Sequence, residues 1–367
     1  MKFTMARGEL FDALSVVGRG LSSRSTLPIL SGILVSAEES GTVIFQSTDL
    51  EVSIKTQAAA AVDRTGQQVI PGRLFADIVR ALPEAAVTVE VDKDTALVAC
   101  GTASFTLRTL NAEDFPRFPE TSSDQTVKLG VDVLSKTVSH VIKAVSRDET
   151  RPILTGVLMV VEGPSLRLVA TDSYRLAVKE VVLDEEAGED LEVVVPGRAL
   201  EEAVKLAAGT KAMEIGVSEN QVVFSAGDTV FVIRRIEGSF PNYRQLIPKD
   251  PETIVKVSRE EFAAAVKRVS LMAQHNTPLR LSVNTTDQTL SLSATTQDVG
   301  DASEDLQVTT DGPDVEIAFN HSFLNDGVSS AEGDGLKIEI VSPLKPGVLK
   351  AENDEGFLYL LMPVRLG

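Results

Sequence analysis

Apolar residues recur at helical spacing in six separate stretches of the chain, and runs rich in β-forming residues lie between them. The first stretch has apolar side chains at positions i, i+3 or i+4 and i+7, namely Leu10, Phe11, Leu14, Val17 and Leu21. This spacing predicts an amphipathic helix. Comparable faces predict five more helices, within residues 71–83, 131–147, 197–208, 258–274 and 320–330. The runs between them, separated by turn-forming residues, predict antiparallel strands.

These modules form a long internal repeat. Pro28-Ile29-Leu30 returns as Pro152-Ile153-Leu154, and Thr48-Asp49 returns as Thr171-Asp172. A fainter third copy begins at Pro278. Because the offsets are close to one third of the chain, the repeat predicts three domains of similar size, each made of two similar modules.

The predicted fold class is therefore α+β, with three tandem copies of a pseudo-duplicated domain. Polar or proline-bearing links predict domain boundaries that give residues 1–122, 123–250 and 251–367. Six short helices, one per module, can lie on one side of a continuous curved sheet. Arrays of this kind either stay open or close by oligomerisation.

Composition narrows the cellular setting. Aromatic residues make up only 5% of the chain and tryptophan is absent, so the cores must consist of Val, Leu, Ile and Ala. A single cysteine, Cys100, excludes an internal disulfide and fits a reducing compartment. We find no signal peptide and no apolar run near the roughly 20 residues needed to span a bilayer. The sequence therefore predicts a cytoplasmic protein without a membrane segment.

Charge is distributed unevenly along the chain. The formal net charge is −18, which alone argues against a nucleic-acid partner. The six predicted helices nevertheless carry 13 basic and 9 acidic side chains, so the acidic excess lies in strands and turns. If all helices face one way, that face is mildly basic. Such a surface can hold nucleic acid through its phosphates without reading bases.

Catalytic chemistry is hard to find in this sequence. The three histidines, His140, His275 and His321, each stand apart from any metal-ligand partner. No nucleophile elbow, phosphate loop or dinucleotide fingerprint is present. Asp49 and Asp172 favour turns, and an enzyme that uses them as acid and base is the weaker interpretation. We therefore predict no catalytic residue, no metal and no cofactor.

The chain resembles the bacterial DNA polymerase III β subunit family of sliding clamps over essentially its whole length. The motifs that carry the resemblance are Leu27-Pro28-Ile29-Leu30, Ser47-Thr48-Asp49-Leu50-Glu51, Asp114-Phe115-Pro116, Ala170-Thr171-Asp172-Ser173-Tyr174-Arg175-Leu176-Ala177, Phe240-Pro241-Asn242-Tyr243, Ser342-Pro343-Leu344 and Met362-Pro363-Val364-Arg365-Leu366. The resemblance implies a DNA clamp fold that closes as a head-to-tail homodimeric ring, with helices inside and antiparallel sheets outside.

The implied function is that of a processivity factor without catalysis. The ring encircles duplex DNA without sequence specificity and tethers the replicative DNA polymerase. The implied partners are the DNA polymerase III α subunit, the clamp loader that opens and closes the ring, and other polymerases and repair proteins that carry clamp-binding peptides.

The family's partner pocket takes a short linear peptide with apolar anchors. Carried over by position, its lining is Leu154, Thr171, Tyr174, Arg175, Leu176, Pro241, Leu246, Phe323, Leu360, Met362, Pro363, Val364, Arg365 and Leu366. Arg175 and Arg365 are expected to support the peptide backbone or acidic flanks. Tyr174 and Gln245 depart from the residues common in relatives, so the preferred peptide is left open.

The resemblance also implies a dimer seam and a DNA-facing set. The seam residues are Arg73, Phe105 and Leu107 on one edge and Leu271, Met272 and Glu304 on the other. Arg73 and an acidic residue such as Glu304 are expected to pair at the rim. The DNA-contacting residues are Arg24, Arg147, Arg151 and Arg198.

One alternative to the clamp remains at this point. An open repeat scaffold for protein ligands, with no role on DNA, has the same repeat. It differs in predicting neither salt-sensitive retention on DNA nor a closed dimer.

Overall fold

The computed structural model describes residues 1–22, 27–184, 187–273, 277–297 and 299–365. Within them the six α-helices are α1 (Arg7–Val17), α2 (Gly72–Ala81), α3 (Val131–Val141), α4 (Gly197–Leu206), α5 (Arg259–Val269) and α6 (His321–Ser330). Each falls inside a stretch that the apolar spacing predicts. Of the apolar side chains predicted to face the core in the first stretch, Leu10, Leu14 and Val17 are fully buried, whereas Phe11 and Leu21 are half-buried.

Strands make up most of the remaining described chain. They are β1 (Lys2–Ala6), β2 (Gly32–Ala37), β3 (Thr42–Thr48), β4 (Val52–Ala59), β5 (Ala61–Arg64), β6 (Gly66–Pro71), β7 (Ala86–Asp92), β8 (Thr95–Cys100), β9 (Ala103–Arg108), β10 (Gln125–Gly130), β11 (Gly156–Glu162), β12 (Ser165–Thr171), β13 (Arg175–Val182), β14 (Leu191–Pro196), β15 (Ala212–Val217), β16 (Gln221–Ala226), β17 (Thr229–Arg234), β18 (Thr253–Ser258), β19 (Leu279–Asn284), β20 (Thr289–Thr296), β21 (Gly300–Gln307), β22 (Thr309–Asp311), β23 (Val315–Phe319), β24 (Gly335–Ile340), β25 (Gly347–Ala351) and β26 (Asp354–Leu361). Every pairing between them is antiparallel, as the alternating runs predict.

Three helices end earlier than their apolar pattern. α1 stops at Val17, α3 at Val141 and α5 at Val269, and a 3₁₀ turn follows each, at Gly18–Gly20, Ile142–Ala144 and Ser270–Met272. The backbone N–H of Gly18 reaches the carbonyls of Leu14 and Val16, which marks this tightening of the last turn. The 3₁₀ turns differ in burial: Ala144 is buried after α3, whereas Leu271 after α5 is exposed.

The described chain forms two compact units. The first comprises Met1–Asp132 with Glu202–Arg235, and the second comprises Val133–Glu201 with Ile236–Gly367. The first contains a five-stranded sheet, β5-β1-β7-β8-β9, and an eight-stranded sheet, β6-β2-β3-β4-β17-β16-β15-β10. The second contains a four-stranded sheet, β21-β20-β19-β23, and a nine-stranded sheet, β14-β11-β12-β13-β26-β25-β24-β18-β22.

The two long sheets repeat one another strand for strand over eight strands, and β22 adds a ninth at one edge of the second sheet. In each, four strands from one third of the chain are followed by three strands and then one earlier strand from the next third. The strands β4 and β17 meet where the two thirds join in the first unit, and β13 and β26 meet at the corresponding place in the second. The internal repeat seen in the sequence is therefore also a repeat of topology, and the sheets run through the predicted domain boundaries.

Candidate partner-peptide site

The turn between β12 and β13 holds the most specific of the repeated motifs. Asp172 Oδ1 accepts the backbone N–H groups of Tyr174 at 2.9 Å and Arg175 at 3.0 Å. Thr171 Oγ1 donates to the carbonyl of Arg175 at 2.7 Å. These bonds hold Ser173 at a φ of 79°, a left-handed conformation that a non-glycine residue adopts only when its surroundings fix it. The turn is thus tightly determined by its own side chains.

The turn between β3 and β4 has the same construction. Asp49 Oδ1 accepts the N–H groups of Glu51 at 3.0 Å and Val52 at 2.7 Å, and Leu50 has a φ of 78°. Both aspartates therefore serve the backbone of a turn, which is the role that their position between strands predicts.

Arg175 is the centre of a buried ionic cluster in the second unit, formed with Asp172, Asp326 and Tyr359. Its Nε donates to Asp172 Oδ2 at 2.9 Å, and one Nη donates to Asp326 Oδ2 at 2.5 Å and to the hydroxyl oxygen of Tyr359 at 3.1 Å. The guanidinium carbon also lies 4.3 Å from the centre of the Phe323 ring. Burial raises the pKa of Tyr359, so its phenol stays protonated at neutral pH.

The position of Arg175 bears on its expected role. The resemblance implies that it supports the backbone or acidic flanks of a bound peptide; in the structure only 9% of its side chain is exposed and its donors face residues of the same chain. Asp172, Asp326 and Tyr359 come from the turn, from α6 and from β26. The arginine therefore links the turn, α6 and β26 through buried hydrogen bonds.

The C-terminal tail passes over the same turn. The backbone N–H of Met362 donates to the carbonyl of Tyr174 at 2.9 Å, and the N–H of Val364 donates to the carbonyl of Ala318 at 2.8 Å. These two bonds fix a segment that would otherwise fray. Arg365 is exposed at the end of the described tail, where its guanidinium is open to solvent. Leu366, which the resemblance also assigns to the pocket, lies outside the described residues.

An apolar cluster lies on the other face of the long sheet. Leu176 and Leu360 are cross-strand partners, only 1% and 2% exposed, and both pack in a cluster that includes Tyr243. Pro241 and Leu246 are exposed at either side of Tyr243 along the chain. Strand alternation places Leu176 and Arg175 on opposite faces, so the site has an apolar support on one side and an ionic one on the other.

The predicted lining thus separates into exposed and supporting residues. Leu154 and Thr171 are buried like Leu176 and Leu360, and Phe323 and Pro363 are half-buried. The large apolar side chains open to a partner are Tyr174, Leu246, Met362 and Val364, which are 61%, 50%, 43% and 36% exposed. Tyr174 also stacks on Phe323, with ring centres 6.3 Å apart and planes 29° apart. An exposed, backbone-tethered apolar rim suits the anchors of an extended peptide.

Three contributors were not among the predicted site residues. Tyr243 was visible only as part of a repeated Phe-Pro motif, and Asp326 and Tyr359 gave no local signal. Both of the latter reach Arg175 from more than 150 positions away along the chain. Their role depends on long-range strand and helix pairing.

Three of the residues predicted for a dimer seam lie on strands at sheet edges. Phe105 and Leu107 are on β9, the last strand of the five-stranded sheet, and Glu304 is on β21, the last strand of the four-stranded sheet. Leu271 is 79% exposed and Met272 half-buried in the 3₁₀ turn after α5. Phe105 is 39% exposed, whereas Leu107 is buried within its own sheet.

One of the two residues expected to pair at the rim of that seam, Glu304, already has a partner within the chain. Glu304 accepts hydrogen bonds from Arg268, at 2.9 Å from its Nε and more closely from one Nη. That pairing lowers the pKa of the Glu304 carboxyl. Arg73 is exposed on α2, so a rim pair between Arg73 and Glu304 would have to share a carboxylate already bound to Arg268.

Of the predicted DNA-contacting arginines, three are described. Arg147 and Arg198 are exposed, the latter in the first turn of α4. Arg151 donates from Nε to Asp148 at 2.8 Å and from Nη to Ser173 at 3.0 Å. Arg24 lies outside the described residues. In the second unit, therefore, one of these cations borders the Thr171–Arg175 turn.

The described part of the chain was left with two further features to consider, metal ligands and membrane-spanning helices. No group of three or more His, Cys, Asp or Glu side chains is placed to hold a metal ion. None of the described helices is both long and apolar enough to cross a membrane.

Family comparisons cover nearly every residue. Three models of the DNA polymerase III beta subunit match in series: the N-terminal domain over residues 1–119, the central domain over 128–242 and the C-terminal domain over 244–365. The three matches follow the same order as the three copies of the sequence repeat.

Individual relatives agree. The chain is 36% identical over 379 residues to the beta sliding clamp of Streptomyces coelicolor, and 100% of each chain is covered. The crystal structure of the DNA polymerase sliding clamp from Bacillus subtilis superposes with a TM-score of 0.95 at 31% identity, covering 100% of both chains. A sliding clamp from Bartonella birtlesii bound to griselimycin has a TM-score of 0.93 at 30% identity, again over 100% of both chains.

Proposed function

This chain belongs to the DNA polymerase III β subunit family, and from that premise we propose that two copies close head to tail into a ring around duplex DNA. The chain has the three-domain DNA clamp fold of that family and serves as a processivity clamp in DNA replication, not as an enzyme. It binds DNA and polymerase partners. A repeat scaffold without a role on DNA is not favoured.

The proposed ring has three domains per copy, residues 1–122, 123–250 and 251–367, with the helices inside and the sheets outside. The observation that carries it is the pair of free sheet edges. β9 and β21 each end a sheet, and exposed apolar side chains, Phe105 and Leu271, lie on or near them. Free edges with apolar side chains invite pairing with another chain, and unlike edges give a head-to-tail contact.

DNA would pass through the ring held only by its phosphates. Arg24, Arg147, Arg151 and Arg198 are the proposed contacts, and the surplus acid elsewhere in the chain discourages binding outside. Four separate arginines give weak contacts with the phosphates. These contacts depend on the salt concentration and not on the base sequence of the DNA, so the ring can slide.

The rim of Tyr174, Leu246, Met362 and Val364 is the proposed docking site for linear peptides. We propose that the DNA polymerase III α subunit, the clamp loader and other polymerases and repair proteins use it in turn, in the cytoplasm. The sheet faces beneath the rim are already packed. Binding therefore has to order little of this chain, and the ordering cost falls mainly on the peptide.

The arginine assignment can be tested by salt dependence. We expect each of Arg24→Ala, Arg147→Ala, Arg151→Ala and Arg198→Ala to lower DNA affinity at low salt and to flatten the salt slope by about one charge. Loading onto DNA should also become less efficient. Arg234→Ala, which removes an exposed arginine from β17, is the matched control. Unchanged low-salt affinity in all four variants would exclude these residues as the DNA path.

A further inference from the structure

Several cations of the helices proposed to face DNA are already bound by carboxylates of the same chain. In the first unit Arg19, in the 3₁₀ turn after α1, donates to Glu202 of α4 at 2.5 Å, and Lys205 donates to the same carboxylate at 3.2 Å. In the second unit the Nζ of Lys136 on α3 lies 2.6 Å from Glu332, two positions after α6 ends. These side chains are between 28% and 61% exposed, so a ligand of the helices can reach both pairs.

The second unit shows that two helices can be joined at this place without a carboxylate. Lys143 is the middle residue of the 3₁₀ turn after α3, as Arg19 is of the turn after α1. Its Nζ donates to the hydroxyl of Ser329 on α6 at 2.7 Å. An exposed ion pair also adds little to stability, because solvent screens it and two long side chains must be ordered. Joining the helices therefore does not explain why the partner of Arg19 is charged.

Glu202 lies in a row of cations on α4. Arg198, one of the proposed DNA contacts, is four positions before it and Lys205 is three positions after it, so the three share one face of the helix. A carboxylate offers a cation the same negative charge and the same kind of oxygen acceptor as a DNA phosphate, and arginine binds either group through its forked N–H donors. A phosphate at this face therefore has to compete with Glu202.

We propose that Glu202 and Glu332 are internal competitors of the DNA phosphates, which occupy Arg19, Lys205 and Lys136 and so keep the contact with DNA weak. The two glutamates do not touch DNA and act only through these cations. A cation that already has a carboxylate partner neutralises less of the phosphate charge, so fewer counterions leave the DNA when it binds. This inference rests on the DNA path proposed above, and it gives acidic side chains a part in allowing the ring to slide.

Replacing each carboxylate by an amide tests the competition. Glu202→Gln and Glu332→Gln keep the side-chain length and one oxygen acceptor but remove the charge. The affinity of the full chain for a fluorescein-labelled linear duplex is measured by fluorescence anisotropy over a series of salt concentrations. We expect each variant to bind about threefold more tightly at low salt, with a salt slope steeper by about one charge. The two changes are far apart and should add, to about tenfold in the double variant.

Two control variants lose the same formal charge without releasing a helix cation. Glu219→Gln removes an exposed carboxylate from the turn between β15 and β16. Glu180→Gln breaks a comparable pair on the sheet, where Arg167 of β12 donates to Glu180 at 2.8 Å. Both controls should keep the salt slope of the wild type. If either one tightens binding as much as Glu202→Gln, net charge alone accounts for the gain and the competition is excluded.

A double-mutant cycle shows whether the gain passes through the arginine. In the wild-type background Arg19→Gln should weaken DNA binding less than Arg198→Ala does, because Glu202 already holds Arg19. In the Glu202→Gln background the same change should remove at least half of the gain. An equal gain with and without Arg19 would overturn the exchange between carboxylate and phosphate. The urea midpoint of each variant verifies that it is folded, and Glu332→Gln in the second unit carries the comparison if Glu202→Gln is not.

Failure of the competition and failure of the DNA path give different results. If Arg198→Ala weakens binding while both glutamine variants bind like the wild type, the competition is wrong and the DNA path stands. If the wild type shows no salt-sensitive binding, or if Arg147→Ala and Arg198→Ala bind as it does, the DNA path fails and the competition fails with it.

Discussion

Histidine 140 shows how one side chain can link packing to pH. It is 1% exposed on α3, its Nδ1 lies 2.6 Å from the carbonyl oxygen of Lys136, and its Nε2 has no hydrogen-bond partner. Glu332 Oε1 lies 3.7 Å from that nitrogen, and the ring packs 5.4 Å from Phe357. Burial lowers the pKa of His140, and the nearby Lys179 lowers it as well, so the imidazole is neutral at physiological pH.

The pH dependence of stability follows from that direction. Because the folded pKa is lower than the unfolded one, the unfolded chain takes up a proton first as the pH falls below about 6.5. Stability should therefore be complete above that pH and decline below it. The hydrogen bond to the Lys136 carbonyl and the charges of Glu332 and Asp354 oppose part of the loss, and the charge of Lys179 adds to it.

We expect His140→Leu to reduce this decline. The measurement is the urea midpoint at pH 7.5 and pH 5.5 for wild type and variant, and the variant should show the smaller difference. Burial also lowers the pKa of His321, so some pH dependence will persist, and His321→Leu measures that share. An identical difference in wild type and His140→Leu would show that this histidine does not contribute.

At the residue scale the sequence predicted local backbone roles of side chains better than their burial. The turn roles of Asp49 and Asp172 were predictable because an Asx turn is local, closed within three residues. The burial of Arg175 was not, because its exposure depends on Asp326 and Tyr359, which only the folded chain brings near. A family position can say that a residue borders a pocket without saying which way its side chain points.

At the element scale the helices were predictable and the sheets only in part. The 3.6-residue apolar period locates each of the six helices, since it depends on neighbours within two turns. Strand order has no such local signal: β4 pairs with β17 and β13 with β26 across separations of well over a hundred residues. The thirds of the sequence repeat therefore do not reveal that each long sheet is shared between two of them.

The edges of the two smaller sheets are where we expect the two copies of the chain to meet. Leu271 is 79% exposed beside β21, and burying such a side chain is worth roughly 1.5–3 kcal/mol. We therefore expect Leu271→Ala with Met272→Ala to shift the dimer towards monomer in sedimentation equilibrium by about a hundredfold or more in dissociation constant. The structural basis is the loss of apolar area at the seam of the proposed ring.

The control for that experiment is an equally exposed apolar residue elsewhere. Val182 is 80% exposed at the end of β13, away from both sheet edges, and Val182→Ala should leave the dimer intact. If the Leu271 and Met272 variant remains as dimeric as wild type while folded, the proposed seam is in the wrong place.

At the scale of the whole molecule, the account depends on topology more than on affinity. The net charge of −18 makes tight direct binding to DNA unfavourable, while a mildly basic set of helices permits loose contact with phosphates. A closed ring reconciles the two, because it is retained by enclosure and needs no strong contact. Family membership supplies the clamp fold, and the proposed ring would explain how an acidic protein stays on DNA.

The most direct test is retention on DNA before and after the circle is cut. The protein is loaded by a matched clamp loader onto nicked circular DNA, freed from unbound protein on a sizing column, and the DNA is then linearised. The account predicts that the protein stays on the circle and is lost from the linear form. Equal retention on circles and free-ended DNA would mean direct tight binding, and no retention on circles despite competent loading would contradict the ring.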